Sequence, residues 1–494
     1  MNRRELSLAG FSLLLGGCAS LNETLLPAPL PEGPIGDLQR ELQAEIDAGS
    51  LVSASYALVH QGRIVHVGAV GWADRQSPRP TRTDTPYPLA GLSQPLTALA
   101  VLRLYEAGKL ELDAPASRYL PALPNAMRAT VRQLLGYCGG LPGYARIAWR
   151  DQGFEQRPAE LDASQAFAAQ PPGRLFEYSN LGYALLGQII EACSGQPLAR
   201  HLQLALFNPL GMANSSLPEG FAPPDDAALK HSGAGERLPD TWSDTPGATN
   251  AYASAQDLAR FLLFQLGQAE PDAQRLLSLR ALRDMQSHSE SGALYPYYGG
   301  ARFGLGWYRR TLAGGTLLWH EGDLPGCSAL MALLPERQLG VAVLINADRQ
   351  QAQTRRIADR LLQSLHPELP PLPLDSMAGL QTYQSQAAWR GRWRGEIQLG
   401  GRTQPLALQF DAEGLASADL DGSTQTFQPL LQERLLLATL HHRLNGPGVS
   451  SRSGALSLLR LWRDGDILSG HALAHASPDR LEHLLPFAAR LRRV

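Results

Sequence analysis

Apolar positions recur along this chain with two periods, and the period changes where the architecture changes. Leu38, Leu42 and Ile46 recur every four residues, which predicts a helix over 38–48 with Asp37 as its N-cap. Residues 52–59 and 64–70 run apolar or alternate around His60-Gln61-Gly62-Arg63, the pattern of a β-hairpin. Residues 96–107 (LTALAVLRLYEA) are apolar nearly all round, with Pro95 where a first helical turn tolerates it, so a buried central helix is expected. A second such helix covers 181–192 and closes at Ser194-Gly195; a third begins at Asp257, with Ser254 as its cap. Runs at 303–309, 315–320, 329–334 and 341–345 read as strands, and 357–365 as a closing helix. Strands, then helices, then strands give an α+β order, with the first and last strands sharing one sheet.

Beyond residue 365 the period becomes two. A linker over 366–378 opens with HPELPPLPLD, and residues 379–494 then carry short strand-like runs at 389–399, 406–410, 415–420, 424–430, 435–441, 455–462, 467–474 and 481–491. Gly400-Gly401, Asp421-Gly422 and Asp464-Gly465 punctuate them as turns. This predicts a small all-β domain, barrel- or sandwich-like; its opening Trp389-Arg390-Gly391-Arg392-Trp393 faintly resembles the start of lipocalin-like barrels.

The first 18 residues, MNRRELSLAGFSLLLGGC, place Arg3 and Arg4 before an apolar stretch too short to span a bilayer. Ending in Leu15-Gly16-Gly17-Cys18, the segment resembles a bacterial lipoprotein signal, which implies lipidation of Cys18 and a membrane anchor. Asn2-Arg3-Arg4-Glu5-Leu6 also resembles a twin-arginine export signal. Ala19 after the cysteine favours the periplasmic face of the outer membrane over the inner membrane. Residues 19–36, with Pro27, Pro29, Pro31 and Pro34, read as a semi-extended tether.

Composition narrows the field. With 44 Lys+Arg against 46 Asp+Glu, the net charge is −2, which argues against a nucleic-acid binder. Four cysteines exclude a disulfide scaffold; Cys193 and Cys327 read as core residues. His441, His442, His471 and His475 lack acidic or cysteine partners at ligand spacing and read as a polar β face, so no metal or other cofactor is expected. Only Lys109 and Lys230 are lysines. Lys109 follows the central helix in EAGKLELD and Lys230 falls in a polar loop, so any lysine-dependent mechanism has two candidates.

Three segments carry a family resemblance: LSQPLTALAVLRLYEAGKLELDAPASRYLP (92–121), FEYSNLGYALLGQIIEACSGQPL (176–198) and WHEGDLPGCSALMALLPERQLGVAVLINAD (319–348). Together they resemble the serine β-lactamase and penicillin-binding-protein family, most closely its class C-type branch with DD-peptidase and esterase relatives, over about 37–365. The resemblance implies a β-lactamase/transpeptidase-like sheet with flanking helices and a helical subdomain, and a site between them lined by three motifs. The second motif is present as Tyr178-Ser179-Asn180, and the third, in its histidine form, as His320-Glu321-Gly322. The first, Ser-x-x-Lys, falls on Gly91-Leu92-Ser93-Gln94, so the nucleophile position is Gly91 and the base position Gln94. The family's His-Thr-Ser-Gly-Leu loop is Tyr137-Cys138-Gly139-Gly140-Leu141 here.

Acyl transfer needs a nucleophile and a base to activate it. Glycine supplies no nucleophile, and Tyr178 without a neighbouring cation is a poor base. The resemblance leaves an oxyanion-type pair of backbone N–H groups at Gly91 and Asp323, beside Gly322. Ser93 reads as a helix N-cap and, alternatively, as a weak substitute nucleophile; Cys138 lies in a different loop. Tyr178, Asn180 and His320 stand either as retained site residues or as packing relics. The expectation is an envelope lipoprotein that has lost covalent Ser-Lys catalysis and binds a peptide, cell-wall fragment or envelope protein in the old cleft. The alternative is a residual or altered hydrolase of esterase, DD-peptidase or β-lactamase type.

Overall fold

Eight antiparallel strands form the central sheet of the N-terminal two-thirds of the chain. A computed structural model describes residues 33–124, 128–142, 145–149, 170–174, 176–287, 301–374, 380–399, 401–432, 434–444, 456–475 and 483–494. The signal segment, Cys18 and most of the tether lie outside them, as do linker residues 375–378. The sheet order is Arg79–Pro80, Arg63–Asp74, Ser53–His60, Leu339–Ile345, Cys327–Leu334, Gly315–Leu324, Tyr308–Leu312, Arg302–Phe303. The first hairpin thus pairs with the last strand, Ser55 opposite Leu344 and Leu58 opposite Val341.

Two helices, Pro34–Asp47 and Gln351–Leu365, pack together on the sheet, tied by Arg356–Glu45 at 2.7 Å and Arg360–Glu41 at 2.9 Å. The expected N-cap Asp37 is instead a first-turn residue. The helix begins three positions earlier, at Pro34, because proline's fixed φ and missing N–H suit a first helical position. The helix Ala255–Gln265 packs against the hairpin and the last strand, and Ser254 caps it by accepting from the Asp257 N–H at 3.1 Å.

The central helix, Ser93–Glu106, is buried on nearly every side, as its apolar run requires. It packs against the helix Asn180–Ser194, which stops at Gly195 with φ 69°. The run 303–309 is not one strand. Gly304 and Gly306 interrupt it between the strands Arg302–Phe303 and Tyr308–Leu312. At Gly306 φ is 100°, and a Cβ there would lie 2.7 Å from the Ala98 Cβ, so this turn brings the sheet edge against the central helix.

The C-terminal strands form one antiparallel sheet that curves as an open half-barrel, with Gln381–Thr382 and Ser423–Phe427 at its ends. It is not built from C-terminal residues alone. Ala145–Trp149 pairs with His483–Arg493 (Leu484 opposite Ala145) and in turn with Thr241–Ser243. Both short strands belong to the N-terminal two-thirds of the chain.

Candidate functional site

The site lies where the start of the central helix meets the strand Gly315–Leu324. The chain approaches through a 3-10 turn at Ala90–Leu92, and Ala90 takes φ 47°, a left-handed conformation rare outside glycine. Gly91 sits in that turn, fully enclosed. A Cβ on Gly91 would lie 2.6 Å from the Glu321 carbonyl oxygen and 3.0 Å from the Tyr178 hydroxyl. A Cβ on Gly322 would lie 2.1 Å from the Leu89 carbonyl oxygen and 3.1 Å from the Gly91 nitrogen. The two glycines therefore press the turn onto the strand and leave no room for a side chain at residue 91.

Gln94 is the hub of what remains. Its Nε2 donates to the Tyr178 hydroxyl at 2.8 Å and to Asn180 Oδ1 at 3.0 Å, while its Oε1 accepts from the Tyr137 hydroxyl. Gln94 is fully buried. A neutral amide here makes the hydrogen bonds an ammonium would make, but brings no charge to draw a proton from Tyr178. Asn180 opens its helix, and the preceding Ser179 caps it by accepting from the Gly182 N–H at 3.2 Å. Helix capping thus places Tyr178 and Asn180 beside the central helix.

His320 is also fully buried. Burial pushes its pKa down to about 4, so it is neutral at pH 7. Its Nδ1 lies 2.9 Å from the Glu321 carbonyl, which places the proton there and leaves Nε2 as an acceptor, 3.3 Å from the Tyr137 hydroxyl. The Tyr137 ring is packed at 4.2 Å from Phe303, 5.0 Å from Tyr178 and 5.4 Å from Phe176. Its backbone is also left-handed, φ 54°. Tyr137 was not singled out as a site residue; the only signal was the departure of its loop from the family pattern.

A family model described as Beta-lactamase matches residues 38–364. The chain belongs to the Beta-lactamase family. Among curated relatives, Esterase EstB of Burkholderia gladioli is 36% identical over 198 residues, 35% of this chain and 50% of that protein. Protein flp of Staphylococcus aureus (strain MRSA252) is 25% identical over 329 residues, 63% of this chain and 62% of that protein. The chain thus spans between half and two-thirds of the length of these relatives. Among solved structures, SurE aligns at TM-score 0.64 and 23% identity, covering 94% of this chain and 100% of that one. A penicillin-binding protein homologue from Pyrococcus abyssi aligns at 0.58 and 20%, covering 92% and 99%. A class C beta-lactamase aligns at 0.57 and 20%, covering 69% and 98%. At these identities the structures speak for the fold, and the first two span the C-terminal half-barrel as well.

In this Beta-lactamase family member the remaining candidates separate. Ser93 is not the N-cap: it is the first helical residue, 2% exposed, and its Oγ accepts from the Ala251 N–H at 3.1 Å. The start of the helix is instead continuous with the 3-10 turn, so no N-cap is needed. Asp323 accepts from the Ser328 hydroxyl at 2.9 Å. Glu321, next to His320 in the chain, is paired with Arg355 at 2.9 Å. Cys138 donates to the Gly136 carbonyl and Cys327 to the Pro88 carbonyl; Cys193 is half-buried rather than core. His471 is not on a polar face. It is fully buried, 3.1 Å from Glu177 Oε1, and burial drives its pKa to about 3, so that contact is not an ion pair at neutral pH. Among the described residues no three His, Cys, Asp or Glu side chains gather as a metal site. Lys230 is the other surprise. Its ammonium does not lie free on a polar loop but turns inward beside Thr241 and Cys327.

Proposed function

We infer that this chain is a non-catalytic member of the Beta-lactamase family that holds a small peptide or cell-wall fragment in the former cleft without cleaving it. The observation that carries this is Gln94. It occupies the base position and is bound on both sides, donating to Tyr178 and Asn180 and accepting from Tyr137. The covalent route of the family needs an oxygen at residue 91 and a cation at residue 94, and this chain has neither. Ser93 is turned into a structural hydrogen bond, and neutral His320 supplies no charge to replace the lysine. Tyr178 stays half-buried rather than sealed, which leaves one polar edge of the cleft for a ligand. The N-terminal signal through Cys18 and the proline-rich segment after it support an exported lipoprotein at the periplasmic face of the outer membrane.

Intact-mass analysis after treatment with a fluorophosphonate and with a penicillin tests the catalytic half of this reading. The expected result is an unmodified mass, with no turnover of short-chain esters or D-amino-acid peptides. A covalent adduct on Ser93, or saturable turnover abolished by Tyr178→Phe, overturns it. Hydrogen exchange with a cell-wall peptide tests the binding half. Protection is expected at residues 89–94 and 318–323, and exchange unchanged at saturating peptide counts against it.

A further inference from the structure

A second pocket adjoins the turn that carries Gly91. It is lined by Ala90 from that turn, by Leu324 at the end of the site strand, and by Lys230, Thr241, Tyr252 and Cys327. Its volume is about 30 Å³. That is room for about one or two water molecules or one small planar group, and too little for a peptide or a tetrahedral phosphate.

Of the polar groups lining this pocket, Ser243, Thr249 and Asn250 are engaged with one another and with Thr245. Lys230 Nζ donates to Thr241 Oγ1 at 2.5 Å and to the Thr241 carbonyl at 3.4 Å. An ammonium has three N–H bonds, so one is left over. Among the described residues Lys230 forms no ion pair, although charges withdrawn from water are normally paired. Thr241 Oγ1 accepts from the lysine and keeps its own proton to give. The hydroxyl of Tyr252, a residue 8% exposed, has no hydrogen-bond partner among the described residues. The Cys327 thiol is spent on the Pro88 carbonyl at 2.8 Å. A cation and two hydroxyl donors thus line a space the size of one carboxylate; the Asp240 carboxylate acts on Lys230 and Tyr252 from nearby, but its ion pair is with Arg237 at 3.3 Å and it hydrogen-bonds to neither of them.

The geometry points to a carboxylate subsite formed by Lys230, Thr241 and Tyr252, which takes the carboxylate of a small acid or of a peptide C-terminus whose remainder lies along the Gly91 turn. This deepens the ligand-holding reading and rests on it. Charge-assisted hydrogen bonds from Lys230 supply the affinity, and the two hydroxyls set the plane of the group. The pocket is walled by Ala90, the residue before the position the family gives to its nucleophile.

The scarcity of lysine makes the test direct. The full chain in detergent, labelled with ¹³C at lysine Cε, gives signals from Lys109 and Lys230 alone. Titration with acetate and with N-acetylglycine is expected to move the Lys230 signal saturably and leave Lys109 unmoved. N-acetylglycinamide, which lacks the charge, is expected to move neither. Tighter binding of N-acetylglycine than of acetate identifies a peptide C-terminus as the occupant, and equal binding a free small acid. Lys230→Met is expected to weaken binding at least about tenfold. Should that variant fail to fold, Thr241→Val and Tyr252→Phe are each expected to weaken it several-fold. A Lys230 signal unmoved by both acids overturns the subsite, as does equal binding of acid and amide. Failure here without any covalent adduct leaves the non-catalytic reading standing, whereas turnover of an ester with the acid still bound at Lys230 overturns that reading and leaves the subsite.

Discussion

Gly91→Ala is the sharpest test of whether the former nucleophile position has closed. The new Cβ would lie 2.6 Å from the Glu321 carbonyl oxygen and 3.0 Å from the Tyr178 hydroxyl. Carbon and carbonyl oxygen normally touch at about 3.3 Å, so the strand must retreat by about 0.7 Å. Overpacking of this kind costs about 1–3 kcal/mol. Replacing glycine stiffens the unfolded chain and returns about 0.4–1 kcal/mol where the backbone is not left-handed, which holds at Gly91. The net expectation is a loss of about 1–2 kcal/mol, read as a lower urea midpoint with an unchanged slope. The same contact predicts the fate of a repair. Gly91→Ser with Gln94→Lys restores both missing groups, yet the serine would press against Glu321 and the protein should stay unacylated by penicillin. A neutral or stabilising Gly91→Ala, or a penicillin adduct on the doubly substituted chain, would show that the strand gives way easily and refute the argument.

Gln94→Leu removes the donor to Tyr178 and Asn180 and the acceptor of the Tyr137 proton, and should lower stability by at least about 2 kcal/mol in urea unfolding. Tyr137→Phe is expected to cost less, because the phenyl ring keeps its packing; the double substitution should be non-additive by about 0.5–3 kcal/mol, measured as a double-mutant cycle. His320 has its pKa lowered from 6.5 to about 4, so the unfolded chain binds the extra proton first and stability falls as pH drops through that window. Asp257, raised from 3.8 to about 6 by burial, works in the opposite sense, its contribution being lost as pH rises through that range. The difference in urea stability between the wild type and His320→Asn, followed from pH 7 to pH 4, therefore isolates the histidine. Cys18→Ser should abolish labelling by radioactive palmitate and shift the chain from the membrane to the soluble fraction; labelling that persists would place the lipid elsewhere or nowhere.

Much of this organisation was legible in the residues. Periodicity gave the buried central helix, and Ser194-Gly195 marked a helix end that glycine closes with φ 69°. The motif Tyr178-Ser179-Asn180 was readable because its three residues act within one helical turn. Pro34 was a better helix start than Asp37 on the same reasoning that favoured Pro95, and Gly304-Leu305-Gly306 announced a break in the 303–309 run. What was not legible depends on long-range direction. Nothing in Tyr137-Cys138-Gly139-Gly140 says that a tyrosine 43 positions from Gln94 points its hydroxyl at it. Nothing near Lys230 says that its ammonium turns inward. The strands at Ala145–Trp149 and Thr241–Ser243 are too short to show a period, and they exist because the C-terminal sheet offers them an edge.

The partners of Gln94 bear on the proposed loss of catalysis. A lysine at residue 94 offers only donors, so its replacement by glutamine creates an acceptor inside the protein that must be met. Tyr137 meets it, at the loop position where the chain departs from the family pattern, and the same hydroxyl stands 3.3 Å from the lone pair of His320. The missing side chain of Gly91 is likewise matched, by the close fit of Gly322 and Glu321 against the turn. An eroded site would leave buried groups without partners, each costing about 1–3 kcal/mol. On the proposed reading, this one has exchanged a charged network for a neutral one centred on Gln94. The charge it gave up at residue 94 has a counterpart at Lys230, on a different element but against the same turn, where it faces a pocket instead of a reacting bond. Its position beside Ala90 is where the proposed carboxylate subsite needs a cation.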